Sequence, residues 1–206
     1  MALTVTDFFF HSTPGYWLLT VPFAAVAGFV YWLLKYRKDK TTPLKKKLWS
    51  VLFVCYAADV VCMVFFFSSI RYFWGCLFLN YNANNIIDVL FVRRPANFIP
   101  DFYKHFDTET VLNLVLFLPF GILYPMAKNV GSWKKTVLTG LFCTVGIEAL
   151  QPVVGRAFDI NDMILNAAGV IISSTLFFLI AGIVKKVKGG GPERSGTEQK
   201  DFRGPD

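Results

Sequence analysis

The chain has 206 residues and four cysteines, is 54% hydrophobic, 17% aromatic and only 17% charged, and carries a net charge of +7 with mean hydropathy +0.47. Soluble domains carry about a quarter charged residues. The abundant apolar surface excludes a disordered chain, the sparse cysteines exclude a disulfide scaffold, and the unbroken apolar runs argue against a soluble globular domain. The class that fits is an all-α polytopic membrane helix bundle.

A spanning helix needs about 20 apolar residues. Five runs qualify: residues 16–34, 49–70 (interrupted by Asp59), 111–127, 136–150 and 163–184. They do not alternate apolar with polar residues as barrel strands do. Sixteen of the 21 Lys and Arg fall in the connection 35–47, the connection 128–135 and the tail after residue 184. Basic residues mark the cytoplasmic face, so five spans put the N-terminus outside and the C-terminus in the cytoplasm. The first segment has no basic residue before Lys35. It therefore lacks the positive region of a cleavable signal peptide and is expected to stay as a helix. The pI near 9.3 then reflects insertion and contact with anionic membrane lipids, not nucleic-acid binding.

Three regions follow. Residues 1–70 hold two helices and a basic cytoplasmic loop, residues 71–188 hold a long outer loop (71–109) and three helices, and residues 189–206 form a Gly-, Pro- and charge-rich tail expected to be disordered. In the outer loop, Trp74, Phe78 and Tyr81 suit an interfacial aromatic belt. The apolar stretch 86–92, with Asp88 inside it, is too short to span, so the loop is expected to be interfacial or re-entrant.

Polar groups inside apolar helices are costly and usually face a bundle interior or a wet cavity. They concentrate between Glu148 and Asn166. Glu148 and Gln151 share a helix face. Pro152 ends or kinks that helix, and the short connection makes the last two spans an antiparallel hairpin. Asp159, Asp162, Asn166 and Gly169 fall within about 80° of one another at 100° per residue. The hairpin therefore gathers Glu148, Gln151, Arg156, Asp159, Asp162 and Asn166 at one depth. Part of this is explicable by structure alone. Asp159 suits an N-cap, Asp162 a capping-box position three residues later, and Arg156 a neutralising partner for one carboxylate. Glu148, Gln151 and Asn166 are left over, which favours a site. Asn113, four residues after Glu109 on the third span, is either interhelical glue or part of that site. Pro119, Gly121 and Pro125 bend or thin the third span and permit close helix approach.

The candidate ligand-binding set is Asn113, Glu148, Gln151, Arg156, Asp159, Asp162 and Asn166, and the candidate acid/base carboxylates are Glu148, Asp159 and Asp162. Asp59 costs roughly 2.5–3.5 kcal/mol at a helix centre unless paired, solvated or protonated. Cys55, Cys62, Cys76 and Cys143 lack metal-ligand spacing and read as packing residues; His11 and His105 are isolated. No P-loop, dinucleotide fingerprint, zinc-helix motif or serine elbow occurs, so no metal or other cofactor is implied.

The chain resembles the VanZ-like family of bacterial membrane proteins. The resemblance covers residues 97–172. It rests on Asn97-Phe98-Ile99-Pro100, on the run Asn113 to Gly121, and on Glu148-Ala149-Leu150-Gln151 followed by Gly155-Arg156. Asp159-Ile160-Asn161-Asp162 and Asn166-Ala167-Ala168-Gly169 complete it. Asn161 stands where the family often has Gly. The resemblance implies a multi-pass protein of the bacterial cell membrane that lowers susceptibility to teicoplanin and related lipoglycopeptides. It supplies no reaction, and Asp59 inherits no role from it. Two readings follow. In one, Arg156 forks to an anionic group of a lipid-linked cell-wall precursor or a lipoglycopeptide, held by the acids and assisted by the amides. In the other, the carboxylates perform acid/base chemistry, or hold Mg²⁺ beside a phosphate, on a lipid-linked envelope substrate. A transporter is the weaker third reading, since no inverted repeat is evident.

Overall fold

The computed structural model describes residues 13–81, 96–101, 103 and 108–189. The expected stretch 86–92 with Asp88, His11, His105, and the tail beyond Gly189 lie outside them. The described residues are all-helical. Helix α1 is Thr13–Tyr36, α2 Leu44–Phe65, α3 Phe67–Phe78, α4 Thr108–Phe117, α5 Phe120–Lys128, α6 Trp133–Leu150 and α7 Ile160–Gly189. A single 3-10 turn, Gln151–Val154, joins α6 to the segment before α7. Five stretches are long and apolar enough to cross a membrane: α1 from Gly15, α2, α4 with α5, α6 with the 3-10 turn, and α7. Their outer surfaces carry exposed Leu, Ile, Val and Phe, such as Leu34, Phe142, Leu179 and Ile183. In water such a surface would drive aggregation, whereas acyl chains solvate it.

The second apolar run does not extend to residue 70 as one helix. It breaks at Phe66, whose N–H closes on the Cys62 carbonyl at 3.1 Å, and restarts as α3. The expected outer loop therefore begins as helix through Phe78. Twelve residues cannot span, and α3 instead packs on α1. Trp74 donates its indole N–H to the Leu19 carbonyl at 2.9 Å and meets Phe23 edge to face. Trp74 is thus a docking residue between helices. Nothing at Phe66 punctuates the sequence, because neither Pro nor Gly marks the break.

The third span divides at Leu118-Pro119. Pro119 has no N–H, so the ladder cannot run through it. The Tyr56 hydroxyl donates to the Leu116 carbonyl at this break, at 3.0 Å. The core lies where α2, α4, α5 and α7 meet: Val60, Val64, Phe117, Phe120 and Val170 are buried together. Phe120 stacks on Tyr124 and takes Phe53 edge-on. Two glycines set the helix spacing. A Cβ on Gly121 would fall 2.4 Å from the Ser174 amide nitrogen, and one on Gly169 would fall 2.4 Å from the Leu114 carbonyl oxygen. Gly121 therefore permits the close approach expected of it, α5 against α7, and Gly169 does the same for α7 against α4.

The basic connections after α1 and α5 and the C-terminal part of α7 lie at one end of the bundle. The α6–α7 elbow lies at the other, against the end of α2 and the start of α4.

Candidate functional site

The elbow begins where α6 gives way to the 3-10 turn at Gln151. Pro152 sits inside that turn, and Gly155 reverses the chain at φ 78°, a left-handed conformation suited to glycine. The Arg156 N–H then closes on the Gln151 carbonyl at 3.1 Å. The reversal fixes the hairpin expected from the sequence and carries Asp159 back over the end of α6.

Glu148 is completely buried there. Its Oε1 accepts from Gln151 Nε2 at 3.3 Å, and its Oε2 accepts from the Asp159 backbone N–H at 3.4 Å. Both bonds are long, so the carboxylate is loosely held. Gln151 is 3% exposed and Asn166 2%, and the Asn166 Oδ1 is buried with no hydrogen-bond partner among the described residues. An unpaired buried acceptor costs about 1–3 kcal/mol, so it stands out as a group without a purely structural explanation.

Asp162 and Asn113 come together from α7 and α4: the Asn113 amide donates to Asp162 Oδ1. Asp159 Oδ1 accepts the Asn161 N–H at 2.8 Å and the Asn97 Nδ2–H at 3.2 Å. Asp159 caps α7 as expected, since its Oδ1 takes the N–H of the second helical residue, but the reciprocal half of the capping box is corrected here. The Asp159 N–H, which such a box gives to the acid three residues on, goes to Glu148 instead.

Arg156 is also corrected. It makes no hydrogen bond or close ion pair with a carboxylate among the described residues, and reaches Glu148 only electrostatically. Its Nη1 donates to the Val64 carbonyl at 2.9 Å and the Met63 carbonyl at 3.5 Å. The reason is local: α2 ends at Phe65, its last carbonyls lack helical donors, and a cation there also meets the negative end of the helix dipole. Arg156 as a residue is exposed.

Sequence reasoning missed the segment just before the third span as part of the elbow. Asn97 lies beside Asp159 in a parallel bridge: its N–H donates to the Phe158 carbonyl at 2.8 Å, and its carbonyl accepts the Ile160 N–H at 3.1 Å. Asp101 and Asn161 exchange two bonds, at 2.9 and 2.8 Å. Phe98 stacks on Phe158 with ring centroids 5.2 Å apart. Asn97 was visible only as part of a motif, since its partner lies 62 residues away.

Asp59 is apart from this cluster. It accepts from the Thr20 hydroxyl at 2.7 Å, and Thr20 is fully buried. Asp59 stands on the wall of a cavity of about 430 Å³ lined mainly by apolar residues such as Trp17, Leu116 and Leu123. All four cysteines are free. Among the described residues no three His, Cys, Asp or Glu are grouped to hold a metal ion.

The arrangement offers two chemistries at one end of the bundle: buried acceptors (Glu148, Asn166) and an exposed cationic fork (Arg156). A family model described as VanZ/LLP1 matches residues 53–181, which contain every candidate site residue. No curated protein and no solved structure matches the chain.

Proposed function

The chain belongs to the VanZ/LLP1 family, and from that premise we propose a multi-pass protein of the bacterial cell membrane that lowers susceptibility to teicoplanin-type glycopeptides and lipoglycopeptides. It does so by engaging an anionic group of a lipid-linked envelope component at its elbow. The excess of Lys and Arg at the other end of the bundle supports an outward-facing elbow.

The observation that carries this reading is Arg156. Two helix-terminal carbonyls hold one of its nitrogens, while Nε and Nη2 have no partner among the described residues. A guanidinium has five N–H donors in a planar fork that fits a phosphate or carboxylate. The carbonyls carry no formal charge, and no carboxylate bonds the guanidinium directly among the described residues, although Glu148 lies within its electrostatic reach. Asn166 Oδ1 and Glu148 supply acceptors for hydroxyl or amide groups of the same ligand.

The test is Arg156→Gln in a teicoplanin-susceptible bacterium with membrane expression matched. Binding of the envelope component should fall about tenfold or more and protection should disappear. Arg156→Lys keeps the charge but loses the fork and should protect only in part. Full protection by both variants rejects the site. A change in the set of lipid-linked wall precursors between cells with and without the protein would instead favour an enzyme using the Glu148, Asp159 or Asp162 carboxylate.

A further inference from the structure

A cavity away from the elbow lies at the basic end, between the start of α2, the end of α5 and the last turns of α7. Its volume is about 720 Å³, within the range of small-molecule sites. Lys45, Lys46 and Lys185 stand on its wall beside Trp49, Phe177 and Phe178. No Asp or Glu is among its lining residues. Neighbouring lysines are used elsewhere: Lys35 donates to the Tyr31 hydroxyl, and Lys47 donates to the Asp39 carbonyl. Lys45, Lys46 and Lys185 have no hydrogen-bond or ion-pair partner among the described residues.

A second observation points the same way. Helix α2 starts at this wall with Pro43 as its N-cap, no side-chain cap and no acid in its first turn. The first amides of a helix need acceptors, and a helix N-terminus favours an anion. Here the α2 dipole and the lysines add, no Asp or Glu lines the wall, and only the partial negative charge at the C-terminal end of α5 opposes them. Below the charges the lining turns apolar and aromatic.

We infer that this cavity seats one anionic glycerophospholipid of the leaflet on the basic face. Its phosphate lies on Lys45, Lys46 and Lys185 at the start of α2, and an acyl chain runs against Phe177 and Phe178. The charge complementarity selects anionic over zwitterionic lipid, and the aromatic wall selects a lipid over a free phosphate. Basic pockets between helices on the cytoplasmic side suit anionic head groups.

Gly182 makes the inference testable without altering charge. It lines the cavity, and a Cβ there would meet nothing within 4 Å. A bulky side chain fills the cavity, and a residue other than Gly favours the helix. The purified full chain is titrated with phosphatidylglycerol, phosphatidylcholine and free glycerol phosphate and read by native mass spectrometry. The wild type should retain one phosphatidylglycerol at least about tenfold more tightly than phosphatidylcholine, and should not retain glycerol phosphate. Gly182→Phe and the triple variant Lys45→Gln/Lys46→Gln/Lys185→Gln should both lose that preference. Lys35→Gln/Arg37→Gln/Lys38→Gln removes as much charge outside the cavity and should keep it. Equal loss in the two triple variants, unchanged retention by Gly182→Phe, or glycerol phosphate binding as well as the lipid would each overturn the inference.

Discussion

Asn97 and Asp159 are joined twice, by the parallel backbone bridge and by the Asn97 amide on the Asp159 carboxylate at 3.2 Å. The pairing ties the chain ahead of the third span to the elbow between the last two. Asp159 in turn offers its N–H to Glu148. Asn97 therefore holds the residue that holds the buried acid.

Replacing Asn97 with Ala keeps the backbone bridge and removes two side-chain bonds, the one to Asp159 and an exposed one accepted from the Ile99 N–H at 3.1 Å. A hydrogen bond to a charged group contributes about 1.5–3 kcal/mol, less where water replaces the donor. Loss of about 1–2 kcal/mol of local stability is expected. Hydrogen exchange should report it at the Ile160 and Asn161 amides, which bond to Asn97 and Asp159. Unchanged protection there would mean that the bridge alone fixes the elbow. Asn97→Asp should be worse than Ala, because it sets a second carboxylate against Asp159.

The five long apolar stretches were legible because each run is long enough to cover a bilayer, and that requires no knowledge of contacts. The hairpin was legible because Pro152 breaks the helix and the connection to Asp159 is short. What stayed hidden depends on partners distant in sequence. Arg156 near three acids reads as an ion pair until the end of α2 supplies two free carbonyls from residues 63 and 64. Asn113 and Asp162 were each visible as a polar group in an apolar helix, but only the packing of α4 on α7 pairs them. The break at Phe66 carries no Pro or Gly, so periodicity ran straight through it.

Helix spacing gives a second prediction. Gly169→Ala puts a methyl group against the Leu114 backbone, which cannot swing away as a side chain can. Overpacking of this kind costs about 1–3 kcal/mol. Gly146→Ala on α6 is the control, because a Cβ there meets nothing within 4 Å. It should be neutral or stabilising by up to about 1 kcal/mol, the helix preference of Ala over Gly. Unfolding in mixed detergent compares the two. Equal stability would show that α4 and α7 separate at little cost.

Acid titration supplies a third. Hydrogen bonds from Thr42, then Thr41, hold the Asp39 carboxyl well below the usual carboxylate range. A depressed folded value means that the contribution of Asp39 to loop order is present above the unfolded value, near 3.9, and is lost as pH falls through the lower folded value. The loop between α1 and α2 should therefore keep its form through mildly acidic solution. Its Asp39 NMR titration should have a midpoint below about 3.9, and Thr41→Val with Thr42→Val should raise that midpoint toward the ordinary value. An ordinary midpoint in the wild type contradicts the hydrogen-bonded loop.

Asn166 separates a binding role from a structural one. Its Oδ1 is buried and unpaired among the described residues, so in the free protein the side chain works against stability. Leu shares the branching and heavy-atom count of Asn and, though bulkier, carries no polar atom to desolvate. If Asn166 serves only packing, Asn166→Leu should leave both stability and protection intact. If Oδ1 awaits a donor on the envelope ligand, the same change should hold or raise stability, by up to about 1–3 kcal/mol, while teicoplanin protection falls. Detergent unfolding and susceptibility, measured on the same variant at matched expression, give the two readouts. A gain in one with a loss in the other is the signature of a polar group kept for a ligand. Loss of stability together with protection would place Asn166 in the structural network and remove it from the site.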